Sequence, residues 1–115
     1  MTQTFEVTLD RDATPEKLLL NGTNVVMAQV YDSRGRFLKP SEVGIAITLS
    51  RSAMLALGIH LIRAAHGMAK LEHSRPADSE LITVSHGVFL HPESCDLILA
   101  QDDLGDIHDL VNQSK

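Results

Sequence analysis

Apolar and polar residues alternate along several short segments in the first half of the chain, and this period of two predicts β-strands. In TFEVTLD, residues 4–10, the side chains of Phe5, Val7 and Leu9 share one face and polar side chains share the other. The same reasoning predicts three more strands: NVVMAQVYD at 24–32, FLK at 37–39 and VGIAITL at 43–49.

Turn-forming residues separate these strands. TPEKLLLNG, residues 14–22, is predicted to be a short helix, because Pro15 suits its first position and Gly22 suits its exit. DSRGR, residues 32–36, is predicted to be a turn in which Gly35 takes a positive φ. Pro40 ends the return strand that follows.

A long helix is predicted from about residue 51 to about residue 72, with Ser50 or Thr48 as its N-cap. Its uncharged run, residues 52–62, is far shorter than the ~20 apolar residues that a bilayer requires, so we expect no membrane span here.

The predicted helix carries two different apolar faces at about 100° per residue. The large side chains form one broad arc: Met54, Leu55, Leu57, Leu61, Ile62 and Met68. The small residues form a second face that includes one histidine: Ala53, Ala56, His60, Ala64 and Gly67. Because one sheet covers only one side of a helix, the small face is predicted to be an interface, either with the C-terminal helix or with a second subunit.

The second half of the chain predicts a loop, a hairpin and a helix. HSRPADS at 73–79 is the loop, and ELITVSHGVFLHP at 80–92 is the hairpin, with its tight turn at His86–Gly87. Apolar residues in DLILAQDDLGDIHDLV, residues 96–111, recur at spacings of three and four, which predicts an amphipathic helix with a weak point near Gly105. A buried strand over 96–100 is the alternative.

These elements predict one α+β domain over residues 1–115. Its mainly antiparallel sheet of about five or six short strands packs on one long buried helix, accompanied by a short N-terminal helix and an acidic C-terminal helix. Alternatively, the connection from 43–49 through the long helix to residues 81–85 makes one parallel pair.

Charge and cysteine content narrow the choice of partner and compartment. The formal net charge is −5, and the acidic excess lies entirely in residues 58–115, so we expect no nucleic-acid partner. The first ten residues do not resemble a secretory signal. The lone cysteine, Cys95, excludes an intramolecular disulfide, and a reducing cytoplasm is the expected compartment.

Six histidines raise the question of metal binding. His86, His91 and Cys95 lie within ten residues of one another, and imidazole and thiolate are good zinc ligands. The paired ligands typical of a structural zinc site are missing, however. The favoured interpretation is therefore a turn histidine, a strand-end histidine and a buried free thiol. We expect no cofactor.

Two further groups of polar residues suggest other roles. His60 or His66 is a candidate catalytic base, although no partner nucleophile lies nearby in the sequence. Four acidic residues are candidates for docking onto a basic partner: Asp102, Asp103, Asp106 and Asp109. The basic turn of Arg34, Arg36 and Lys39 in a neighbouring subunit would be one such partner.

No nucleotide-binding, zinc-protease or hydrolase motif occurs in the sequence. The sequence therefore favours a non-catalytic interaction or accessory protein that acts as a homodimer, with another protein as a further candidate partner. The alternatives are a metal- or small-ligand-binding domain that uses His86, His91 and Cys95, and a small enzyme with a histidine base.

Overall fold

The computed structural model describes residues 2, 4, 6, 20–78 and 86–113. Its regular elements are helix α1 (Arg51–Ala65), strand β1 (His73–Ser74), strand β2 (Leu97–Ile98), helix α2 (Ile107–Gln113) and a 3₁₀ turn at Pro40–Glu42. The two strands pair antiparallel, with His73 opposite Ile98 and Ser74 opposite Leu97.

Helix α1 begins where Ser50 acts as its N-cap. The Ser50 hydroxyl accepts a hydrogen bond from the Ala53 N–H at 3.1 Å, which satisfies one of the backbone donors left free at a helix start. Alanine, leucine and methionine are strong helix formers and supply much of the helix interior. The predicted start near residue 51 is confirmed, with Ser50 as the cap.

Helix α1 ends at Ala65, well before the predicted end near residue 72. Gly67 adopts φ +74°, its N–H donates to the Ala64 oxygen at 3.0 Å, and the Met68 N–H donates to the Arg63 oxygen at 2.8 Å. This pair of bonds is a Schellman cap, which a glycine in the left-handed region makes without a steric penalty. The prediction was wrong because the apolar period continues past a residue whose backbone stops the helix.

The predicted sheet of five or six strands on one long buried helix is wrong. Within the described residues, β1 and β2 form one two-stranded sheet, and no backbone hydrogen bond joins residues 43–49 to a neighbouring described strand. Ile45, Ile47 and Leu49 consequently remain between 36% and 63% exposed. Alternation identifies the face that a strand would bury, but a strand also needs a partner for its backbone groups, and the pattern does not supply one.

The predicted helix over 96–111 is wrong in its first half. Leu97–Ile98 forms β2 within the range of the alternative strand prediction, although this strand is shorter than 96–100 and Ile98 is exposed; helix α2 begins only at Ile107. Gly105 lies between them with φ +87°, and the Asp106 carboxylate accepts a hydrogen bond from the His108 N–H at 2.9 Å. The glycine and the aspartate together delay the helix, as their preferences for turns and helix starts explain.

The hairpin predicted around DSRGR is present in reduced form. An isolated bridge joins Tyr31 to Phe37, the Leu38 N–H donates to the Val30 oxygen at 2.7 Å, and Gly35 has φ +77°. Most of the predicted strand at 4–10, the helix at 14–22 and the strand at 81–85 lie outside the described residues.

The chain divides into two compact units. The first comprises Met1–Leu38 and Asp103–Lys115 and contains the Tyr31–Phe37 hairpin and α2; the second comprises Lys39–Asp102 and contains α1, β1 and β2. No helix in the described part of the chain is both long enough and apolar enough to cross a bilayer. The description of the whole chain as one domain remains a prediction.

Candidate functional site

The most deeply buried polar group in the described chain is the imidazole of His86, in the second unit. His86 is 2% exposed and Ser74 is 3% exposed. His86 Nδ1 lies 2.7 Å from Ser74 Oγ, and the Glu72 N–H donates a 2.8 Å hydrogen bond to His86 Nε2. The ring is therefore fixed through both of its nitrogens to residues 72–74.

These contacts determine the tautomer of His86. A backbone N–H can only donate, so Nε2 must carry a lone pair and the proton of the neutral ring lies on Nδ1. Nδ1–H accordingly donates to Ser74 Oγ. A doubly protonated ring would place a second N–H against the Glu72 N–H.

The charged form of His86 is disfavoured. Burial lowers the pKa of His86, and the nearby charge of His60 lowers it further, while the Glu72 carboxylate acts in the opposite direction. The two imidazoles meet edge to face, with 5.3 Å between their centroids. Burial and the hydrogen bond from the Glu72 N–H thus both favour the neutral form of His86.

The Ser74–His86 pair does not have the arrangement of a catalytic dyad. A serine nucleophile donates its proton to a histidine lone pair, whereas here the histidine donates to the serine. Both side chains are also almost completely buried, so no substrate reaches them. The pair instead fastens the turn at His86–Gly87 to strand β1.

His60 links helix α1 to this cluster. Its Nε2 lies 3.2 Å from the Lys70 carbonyl oxygen, so this nitrogen is a donor and carries a proton. His60 therefore uses one ring nitrogen to tie α1 to the segment that leads into β1. The other candidate base, His66, caps the end of α1 through its backbone and is exposed.

The three candidate metal ligands have separate surroundings. His86 is buried as described above, His91 Nδ1 accepts a 3.0 Å hydrogen bond from the Glu93 N–H, and Cys95 is exposed. Among the residues that the structure describes, no three histidine, cysteine or acidic side chains gather closely enough to hold a metal ion. Elsewhere in the second unit, His73 Nε2 donates a hydrogen bond to Asp96 Oδ2 at 2.9 Å.

The small face of α1 lies mainly toward its own unit. Ala64 is 6% exposed, and Ala53, Ala56 and His60 are half-buried, whereas Gly67 is exposed. A Cβ placed on Gly87 would stand 3.8 Å from the Ala56 carbonyl oxygen, so the His86–Gly87 turn packs on this face. A shallow cavity of about 300 Å³ lies at the same junction, lined by Ser50, Ser52, Ala53, Ala56, Gly87, Val88 and Phe89.

The opposite side of α1 forms an exposed apolar surface, here named the apolar arc. It consists of Met54, Leu55, Ile59, Leu61 and Ile62, whose exposed fractions range from 37% to 62%. Gly58 lies at its centre, and within the described chain nothing besides neighbouring backbone comes within 4 Å of the place where a Cβ would stand. The sequence pattern indicated most of this arc but missed Ile59, and it predicted burial here because it assumed a covering sheet.

The acidic docking candidates differ in exposure. Asp102, Asp103 and Asp109 are exposed, whereas Asp106 is half-buried and caps α2. In the proposed basic turn, the Arg36 N–H and the Arg34 N–H donate to the carboxylate of Asp32, and Arg36 Nε adds an ion pair at 3.0 Å. These bonds, the Arg36 N–H first, keep the pKa of Asp32 below its ordinary value.

The chain matches no protein-family model, no curated protein and no solved structure. The physical properties of its own residues are therefore the basis for any functional proposal.

Proposed function

We propose that the protein is a small non-catalytic interaction protein that pairs with a second copy of itself through the apolar arc of α1. The observation that carries this proposal is the exposure of five large apolar side chains on one side of a single helix. An apolar patch of this kind on a folded chain is typical of an interaction surface. We further propose a reducing compartment, the cytoplasm, because the chain has one cysteine.

The spacing of the arc favours a second copy as the occupant. Met54 and Leu55 precede Gly58 by four and three residues, and Leu61 and Ile62 follow it by three and four. A two-fold axis at Gly58 places two such helices antiparallel, so that Met54 faces the partner's Leu61 and Leu55 faces the partner's Ile62. Each contact then occurs twice, as an isologous interface requires.

Gly58 favours close approach of the two helices. Interaxial distances of packed helices are about 8–10 Å and depend on the side chains at the contact. A glycine at the crossing point allows the shorter distances, and the large side chains on either side of it fill the space between the helices.

Charge supports the antiparallel arrangement. The arc contains no acidic residue, and Arg51 lies at its N-terminal end. In the antiparallel pair, each Arg51 guanidinium lies beside the C-terminal end of the partner's helix, where the last carbonyl groups carry partial negative charge. The two helix dipoles also oppose each other, which is favourable.

A charge-pairing experiment tests the proposal and its register. Leu55→Glu introduces a carboxylate in the N-terminal half of α1, and Ile62→Lys introduces an ammonium in its last turn, so neither charge opposes the helix dipole. Each variant alone buries an unpaired charge in the proposed dimer, so we expect its dissociation constant to rise more than tenfold, or by ~1.4 kcal/mol or more. Both variants should keep the fold of the monomer, because both positions are exposed.

The two variants mixed together should associate again. One contact of the heterodimer then pairs the introduced carboxylate with the introduced ammonium, and its symmetry mate keeps the native Leu55 and Ile62. Sedimentation of each variant and of the equimolar mixture gives the readout, with Val111→Glu, a half-exposed position on α2, as the control. Single variants that associate as tightly as the parent chain would refute the proposal, and a mixture that stays monomeric would refute the register.

A further inference from the structure

We propose that His86 is a pH-sensitive latch: the neutral ring holds the His86–Gly87 turn against residues 72–74, and protonation of the ring releases it. The inference is independent of the proposed dimer, because it rests on the covered side of α1 and not on the apolar arc.

The neutral ring makes contacts that the protonated ring cannot make. Nε2 accepts the 2.8 Å hydrogen bond from the Glu72 N–H, and a proton on Nε2 would replace this bond by a contact between two donors. Ser74 Oγ still accepts from Nδ1–H, so protonation loses one of the two bonds. It also places a charge on a group that is 2% exposed.

The groups that face the ring do not compensate for this loss. Helix α1 presents His60, whose ring centroid is 5.3 Å away and whose own protonation repels a second positive charge. The segment leading into β1 presents Glu72, whose carboxylate attracts the charged ring. The Glu72 N–H, however, needs the Nε2 lone pair as its acceptor and so disfavours a proton there. Gly87 and Val88 in the turn carry no charge, and His73 is paired with Asp96.

The backbone of the His86–Gly87 turn has a left-handed conformation at both residues. His86 has φ +60° and Gly87 has φ +72°. A left-handed conformation is unfavourable for a residue with a side chain, so the contacts of the ring help to keep it. When the His86 ring loses its contacts with Glu72 and Ser74, the backbone of His86 can relax to a more favourable conformation.

Backbone contacts at Leu90 lie on the C-terminal side of the His86–Gly87 turn. The Ala77 N–H donates to the Leu90 oxygen at 2.9 Å, and an isolated bridge joins Pro76 to Leu90. These contacts contain no titratable side chain and so remain as the pH falls. Opening therefore frees the His86 end of the turn and uncovers Ala56 and His60 on the small face of α1.

The direction of the pH dependence follows from the lowered pKa of folded His86. In the unfolded chain, His86 takes up its second ring proton near its ordinary pKa of 6.5. In the folded chain, it takes up this proton only at a lower pH. The contacts of the neutral ring therefore contribute their full stability above pH 6.5. This stability is lost as the pH falls from 6.5 toward the lower pKa of His86 in the folded chain. The latched state is the one present at neutral pH.

Nitrogen-15 NMR of the full chain from about pH 8 to about pH 5 tests the inference. We expect His86 to carry its neutral proton on Nδ1, to titrate below 6.5, and to share its midpoint with the amide resonance of Glu72. Protection factors in residues 72–74 and 86–88, which are exchange rates corrected for the intrinsic rate at each pH, should fall by up to about tenfold for each unit of decreasing pH, whereas the protection factor of Ala77 should stay constant. A proton on Nε2, a midpoint at or above 6.5, or a Glu72 amide that ignores the titration would overturn the proposal.

His86→Asn provides the matched variant. Asparagine tolerates the left-handed conformation and offers a donor to Ser74, but it cannot take up a proton. The acid-dependent loss of protection should disappear in this variant and persist in His91→Asn, which changes an exposed histidine. An unchanged acid response in His86→Asn would also overturn the latch. If that variant does not fold, the ring and Glu72 resonances of the parent chain decide the question alone.

Discussion

His60 and His86 meet edge to face, with 5.3 Å between ring centroids and 74° between ring planes. The contact joins the small face of α1 to the turn at His86–Gly87 and so determines which side of the helix is covered. The large apolar side chains consequently point away from this contact. The small face of α1 thus packs against its own unit, and the apolar arc on the opposite side is the surface proposed for association.

Ser74 is expected to contribute to stability because it accepts the Nδ1–H of a buried ring. Ser74→Ala leaves that donor without its partner, and a buried unsatisfied group costs about 1–3 kcal/mol. Urea unfolding monitored by circular dichroism should give a loss of this size. Ser52→Ala, at an exposed position early in α1, is the control and should change the free energy of unfolding by less than about 0.5 kcal/mol. Equal effects of the two substitutions would contradict the role of Ser74.

Gly67 and Gly58 should respond to alanine in opposite directions. Gly67 has φ +74°, and alanine in the left-handed region costs about 1–2 kcal/mol. Gly58 lies inside α1 with open space around it, where alanine favours the helix by about 1 kcal/mol. Urea unfolding at a protein concentration low enough to exclude association measures both. A Gly67→Ala variant as stable as the parent chain would show that the helix end does not depend on this residue.

Adjacent residues on α1 distinguish its two faces. Ala56→Glu places a carboxylate against the His86–Gly87 turn, and we expect it to unfold the second unit or destabilise it by more than about 2 kcal/mol. Leu55→Glu, one residue earlier, points to solvent in the monomer and should leave the circular dichroism spectrum unchanged. Spectra and unfolding midpoints of the two variants provide the comparison. A stable Ala56→Glu monomer would contradict the assignment of the covered face.

The local elements were predictable from sequence where a single residue dictates the backbone. The cap at Ser50, the positive φ at Gly35 and the turn at His86–Gly87 follow from side-chain and backbone preferences that act within a few residues. The predicted helix end near residue 72 was wrong because the apolar period continues past Gly67, whose left-handed backbone ends α1 at Ala65.

The arrangement of these elements was not predictable in the same way. The pattern in 43–49 indicates which side chains share a face but contains no information about a neighbouring strand, and the predicted sheet was wrong. The partnership of His86 with Ser74 spans twelve residues, and no local motif marks it.

The most direct test of the central claim is the molar mass of the parent chain in solution, measured by light scattering on a sizing column over a wide concentration range. Self-association through the apolar arc should give a mass that rises with concentration toward twice the 12.6 kDa of one chain. A mass that stays at 12.6 kDa at every concentration would contradict self-association through the apolar arc.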